Sequence, residues 1–159
     1  MPSLSFTVPG VPIGKGRARH VPLFQCRKCG RKGMQKVCRC GASEQNYLAS
    51  IPYTPGATKT YEGIVRTFAL DAMKAAGVEQ PLTGVVQIAV NAFFPIPASR
   101  VKKLREDEYH IQRPDLDNIL KSIADGCNKV VWADDALVAH ISARKFWSNN
   151  PRVEVEVSW

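Results

Sequence analysis

Four of the five cysteines fall within fifteen residues, as Cys26-x-x-Cys29 and Cys38-x-Cys40, with eight residues between the two pairs. Gly30 and Gly41 directly follow the second cysteine of each pair, as tight thiolate-bearing turns require. Four thiolates in a tetrahedron close a structural zinc site. The spacing is shorter than in a typical zinc ribbon, and CxC is less usual than CxxC. Disulfides are the alternative, and a reducing compartment argues against them. We expect a small zinc-ribbon-like insertion over residues 22–50, in which Cys26, Cys29, Cys38 and Cys40 hold Zn²⁺ in a structural role. The fifth cysteine, Cys127, falls on an apolar helix face, where a buried thiol is expected.

The charge is as uneven as the cysteines. The chain carries a net +8, and residues 1–50 hold nine Lys/Arg against the single acid Glu44. The rest has thirteen basic and thirteen acidic side chains. A basic block nearly free of acid points to a polyanion, most often nucleic acid, because phosphates reward Lys and Arg without reading sequence. Lys15, Arg17, Arg19, Arg27, Lys28, Arg31 and Lys32 are the candidate DNA contacts. Gly14-Lys15-Gly16-Arg17-Ala18-Arg19 reads as a flexible basic loop, and it lacks the Gly-Lys-Ser/Thr of a phosphate-binding P-loop.

The chain of 159 residues, 45% apolar and 23% charged, suits one soluble domain, 1–159. No apolar run reaches about 18 residues, so no membrane span is expected. The first residues lack a signal-peptide pattern. The expected compartment is the reducing cytoplasm. Leu4, Phe6 and Val8 alternate as a first strand. Tyr61 to Ala76 carry a helical apolar face, with Thr60 as cap and Gly77 as stop. Val86 to Phe94 alternate as a second strand. After a polar stretch at 98–112 comes a helix from about Asp115 to Lys129. Leu137 to Ala143 and Val153 to Val157 then alternate and read as a hairpin. Residues 42–57, with Pro52 and Pro55, read as a returning loop. The order is β-insertion-α-β-α-β-β: an α+β fold with a mixed sheet and two main helices.

Chemistry concentrates in Arg113-Pro114-Asp115-Leu116-Asp117-Asn118-Ile119-Leu120-Lys121. Pro114 places a helix start just after it. Asp115 then lies in the first turn, and Asp117 and Lys121 share a face. Asp134-Asp135 follow Trp132, and a turn-back of the chain would bring this second pair beside the first. Carboxylates are the ligands Mg²⁺ prefers. The plainer alternative is a helix cap at Asp115, a surface ion pair of Lys121 with Asp117 or Asp125, and a solvated turn at Asp134-Asp135.

Asp115-Leu116-Asp117-Asn118-x-x-Lys121, then Asp125, then Trp132-x-Asp134-Asp135, resembles the RusA family of Holliday junction resolvases. The resemblance covers roughly residues 1–20 and 55–159, leaving out the cysteine insertion. It implies that Asp115, Asp117 and Asp135 are catalytic carboxylates binding Mg²⁺ and that Lys121 is the essential lysine. It also implies a homodimer that resolves four-way DNA junctions by paired nicks. A zinc-bearing DNA-binding module without nuclease activity is the alternative, as is a metal-dependent nuclease on other branched nucleic acids or RNA.

Overall fold

The structure, a computed structural model, describes residues 1–159. In chain order the elements are β1 (Ser3–Pro9), β2 (Arg19–Cys26), β3 (Lys32–Gly33), β4 (Gln45–Tyr53), α1 (Gly56–Ala75), β5 (Val86–Pro95), α2 (Leu116–Cys127), β6 (Val138–Ser148) and β7 (Arg152–Ser158). They fall into two compact units, one of Met1–Lys15 with Ala57–Trp159 and one of Gly16–Gly56. No helix is long and apolar enough to cross a membrane.

The larger unit is built on a four-stranded sheet in the order β1-β7-β5-β6. β7 is antiparallel to both β1 and β5, and β5 runs parallel to β6, so the sheet is mixed as expected. The strand register explains the core. Leu4 pairs with Val157 and that with Ile88; Phe6 with Val155 and Val90; Val8 with Val153 and Ala92. Alternation therefore lines up three apolar rows on one face, and all nine side chains are buried. Each such burial contributes roughly 1.5–3 kcal/mol. Tyr61, Val65, Ala69 and Met73 of α1 and Ile119, Ile123 and Cys127 of α2 belong to the same core, as does the fully buried Trp132. The two helices approach closely at Gly126, where a Cβ would lie 2.7 Å from Val65 Cγ1 and 3.0 Å from the Glu62 carbonyl oxygen. Gly77, at φ +70°, ends the turn after α1, and the N–H of Val78 donates to Met73 O at 2.9 Å.

Three expectations for this unit fail. β6 and β7 are not a hairpin: β7 inserts between β1 and β5, leaving β6 at the edge. The reason is apolar demand. Val153, Val155 and Val157 need neighbours on both sides, whereas β6 carries His140, Arg144 and Lys145 and tolerates an edge, where its Ile141 is 50% exposed. In addition, α1 starts at Gly56 directly after Pro55, four residues before Thr60. Helix α2 is also shorter than expected at its far end, stopping at Cys127.

The smaller unit is a three-stranded sheet, β3-β2-β4. Residues 45–53, expected as loop, form β4, antiparallel to β2 from Arg19–Tyr53 to Cys26–Gln45. Pro52 reads as a breaker, yet a narrow sheet accepts proline wherever a strand side has no partner, as it does again at Pro22 of β2. Within Gly16–Gly56 the single buried residue is Cys26.

Candidate functional site

The entry to α2 is shaped by its sequence. Lys145 of β6 donates from Nζ to the carbonyl oxygens of Gln112 and Pro114, both at 2.8 Å, and so fixes the segment that precedes Asp115. Asp115 is the residue at the helix cap, extended at φ −68° and ψ 147°, but its carboxylate makes no capping hydrogen bond. Asp117 is exposed in the first turn, and Lys121 is exposed one turn later. Two carboxylates thus stand free where the helix dipole favours negative charge, with an amine on the same face. Asp125 is not paired with Lys121; it is held by Lys15.

The second acidic pair sits elsewhere. Asp135 accepts a hydrogen bond from Trp132 Nε1 at 2.8 Å and from Asn128 Nδ2 at 3.0 Å. Asp134 accepts from the N–H of Ala136 at 3.0 Å and pairs with Lys129 at 3.1 Å. The Ala136 N–H and then the Lys129 ammonium hold the Asp134 carboxyl below the usual range. Asp134 is therefore a turn cap. Asn128 was not foreseen as a site residue; nothing in its spacing marks it, because its contact with Asp135 depends on the turn at 128–134.

Asp135 does not join Asp115 and Asp117 within one chain. Asp117 and Asn128 are eleven residues apart along α2 and its cap, about 16 Å at 1.5 Å per residue. Nor do these acids count among the groups of three or more His, Cys, Asp or Glu whose ligand atoms lie within 4.8 Å of one another. Oxygens sharing one Mg²⁺ lie about 3 Å apart when each is 2.0–2.1 Å from the ion. The turn-back expected to unite the two acidic pairs instead leaves them at opposite ends of α2. Asp115 and Asp117 suit Mg²⁺ as exposed, uncommitted oxygen donors, but one chain supplies no third carboxylate beside them.

The ligating side chains that do gather, within 4.8 Å of one another, are Cys26, Cys29, Cys38 and Cys40. The Sγ atoms of Cys26 and Cys40 are 3.6 Å apart and those of Cys29 and Cys38 are 3.5 Å apart. Four sulfurs at 2.3 Å from a tetrahedral Zn²⁺ would be separated by about 3.8 Å, so the quartet is close to the right size. Two turns build it. The Gly30 N–H donates to Cys26 O at 2.9 Å, the Gly41 N–H donates to Cys38 O at 2.8 Å, and both glycines have positive φ. The backbone N–H of Cys29, aided by Lys28 and neighbouring thiols, brings the Cys26 thiol down to about 6 against the effect of burial. Cys38 is pulled down by the Cys40 N–H but pushed up further by the surrounding thiols and burial, to about 11. All five cysteines are free thiols, and burial pushes Cys127 up to about 12.

Of the candidate DNA contacts, Arg17, Arg19, Arg27, Lys28, Arg31 and Lys32 are exposed in the smaller unit. Lys15 belongs to the larger unit and is engaged by acids there.

The family described as "Endodeoxyribonuclease RusA" matches residues 39–158, which takes in both acidic pairs and the last cysteine of the quartet. The chain is also 35% identical, over 164 residues, to the "Uncharacterized protein YqaN" of Bacillus subtilis (strain 168), covering 99% of this chain and 96% of that protein. A match over three quarters of the sequence, taking in the carboxylates of α2, means that the chain belongs to the RusA endodeoxyribonuclease family.

Proposed function

We propose that this protein is a Mg²⁺-dependent, structure-selective endonuclease that resolves four-way DNA junctions by paired nicks as a homodimer. The observation that carries the proposal is the pair of uncommitted carboxylates, Asp115 and Asp117, at the first turn of α2 in a chain of an endodeoxyribonuclease family. When bound, Mg²⁺ neutralises charge at the scissile phosphate and lowers the pKa of its water. Asp115 and Asp117 would hold it. With Asp125 committed to Lys15, Lys121 keeps its ammonium free to face the phosphate and stabilise developing charge.

The distance between Asp117 and Asp135 supports a dimer. Asp117, Lys121, Ala124 and Asn128 recur at helical spacing on the solvent side of α2, each exposed or half-buried. Two such helices packed antiparallel about a two-fold axis near residue 122 would set Asp117 of one copy opposite Asn128 of the other. Asp135, bonded to Asn128, would then complete the carboxylate set in trans.

In the smaller unit we propose structural Zn²⁺ in the cysteine quartet, with Arg17, Arg19, Arg27, Lys28, Arg31 and Lys32 meeting DNA phosphates. The test of the whole proposal is cleavage of a synthetic four-way junction beside flap, duplex and RNA substrates, with and without Mg²⁺. We expect symmetric nicking of the junction that needs Mg²⁺ and is abolished in Asp117→Asn. Tight DNA binding with no metal-dependent nicking would instead favour a DNA-binding module.

A further inference from the structure

We propose that Ile13–Lys15 is a strap that sets the position of the metal-facing turn of α2, and that Lys15 is a positioning residue rather than a DNA contact. The inference rests on the assignment of Asp115 and Asp117 as the metal carboxylates. Three consecutive residues run along one side of α2. Ile13 O accepts from Ser122 Oγ at 2.7 Å. The Lys15 N–H donates to Asn118 O at 2.7 Å. Between them Gly14 lies so close that a Cβ there would be 2.9 Å from Pro114 Cβ and 3.3 Å from Asn118 Cβ. Pro114 and Asn118 bracket Asp115 and Asp117, so the strap grips both ends of the acidic turn.

The lysine closes the device. Its Nζ donates to Glu62 Oε1 of α1 at 2.6 Å and to Asp125 Oδ2 of α2. The three side chains are only 21%, 20% and 27% exposed. Glu62 also sits at the close approach of the helices, its carbonyl facing Gly126. One ammonium therefore ties the strap, α1 and α2 together at one point. Burial acts to lower the pKa of Lys15, but the hydrogen bonds to Asp125 and Glu62 outweigh it and raise the pKa above 10.5, so the charge persists. Removing it would leave two half-buried carboxylates facing each other. A surface lysine gripping phosphate would not be spent on two acids of its own chain.

The full-length protein tests this through a split between binding and rate. Junction affinity is measured without cleavage, in Ca²⁺, between about 50 and 200 mM salt. Single-turnover cleavage is measured over a Mg²⁺ titration, and Mn²⁺ binding without DNA by calorimetry. Lys15→Met is expected to lose about tenfold or more in rate through displacement of the turn. It should also need more Mg²⁺ and bind Mn²⁺ more weakly, while junction affinity and its salt slope stay at the wild-type values. Lys15→Arg should recover part of the rate, and Glu62→Gln should show a smaller loss of the same kind. Arg17→Met should do the opposite, lowering the salt slope by about 0.9, one phosphate contact. A Lys15→Met protein that loses slope like Arg17→Met, or cleaves at the wild-type rate, overturns the strap. If Lys15→Met does not fold, Gly14→Ala decides, because it keeps the charge and displaces only the backbone; the same split is expected, and wild-type behaviour overturns the proposal. If Asp117→Asn cleaves like wild type, the metal-site assignment falls, and the strap with it.

Discussion

The two units stay folded for opposite reasons. Gly16–Gly56 buries one residue, Cys26, and its strands present Tyr47, Leu48, Ile51 and Tyr53 to solvent. It carries eight Lys/Arg and one acid. Nothing there resembles a core; what gathers instead is the β2–β4 ladder and the four sulfurs. The remaining residues bury three rows of apolar side chains together with two helices. Charge follows the same division: the basic unit is organised without a core, and the cored unit displays the carboxylates. Where a core exists, the acidic pairs sit on its rim. Where none exists, four cysteines gather instead.

Removing the metal proposed for the cysteine quartet should separate the units most sharply. Zinc in a four-thiolate site contributes on the order of 10–16 kcal/mol to folding of a small module. Chelation, or Cys26→Ser, should therefore erase amide protection across β2 and β4 while leaving β5 and α2 protected, as followed by hydrogen exchange. A metal-free quartet with unchanged protection would break the comparison.

A converse change comes next. Trp132→Ala empties a fully buried site in the larger unit and should cost about 3–5 kcal/mol. Thermal melts should show this loss in the larger unit while zinc stays bound. Smaller is Gly126→Ala, whose added methyl meets Val65 at 2.7–2.8 Å and should cost about 1–3 kcal/mol by overpacking. Denaturant midpoints would measure it. The smallest effect is on pH. Burial, then the charge of Lys145, lowers the pKa of His110, which stacks on Phe94 and lies tilted against Trp147. The unfolded chain thus binds the proton more readily, so stability falls as pH drops through and below 6.5. His110→Phe should flatten that part of the profile, read as midpoint against pH.

The sequence made alternation and acidic spacing visible because both are local. Leu4, Phe6 and Val8, or Val86 through Phe94, need no partner to be recognised. Strand neighbours are not local: that β7 lies between β1 and β5 depends on which apolar edges compete, and Val153 to Val157 win over β6. The cysteine quartet was legible because four ligands at short spacing can close only on each other. The strands around it were not, since Pro52 looks like a breaker until a narrow sheet leaves its nitrogen without a partner strand. The acidic residues were legible by type and by resemblance, but their separation was not. A helix of twelve residues lies between Asp115 and the Asp134-Asp135 turn, and helix length is a statement about space that the motif spacing hides. The pairing of Lys15 was not legible either, because its acids, Glu62 and Asp125, are 47 and 110 residues away.

The most direct measurement mixes two inactive proteins. Asp117→Asn and Asp135→Asn are prepared separately, then combined under conditions that exchange subunits, and junction nicking is assayed in Mg²⁺. If each site draws Asp117 from one copy and Asp135 from the other, a mixed dimer holds one intact site, and nicking of a single strand returns. If the mixture stays as inactive as its components while wild-type subunits exchange freely, the carboxylates act within one chain, and the shared site is refuted.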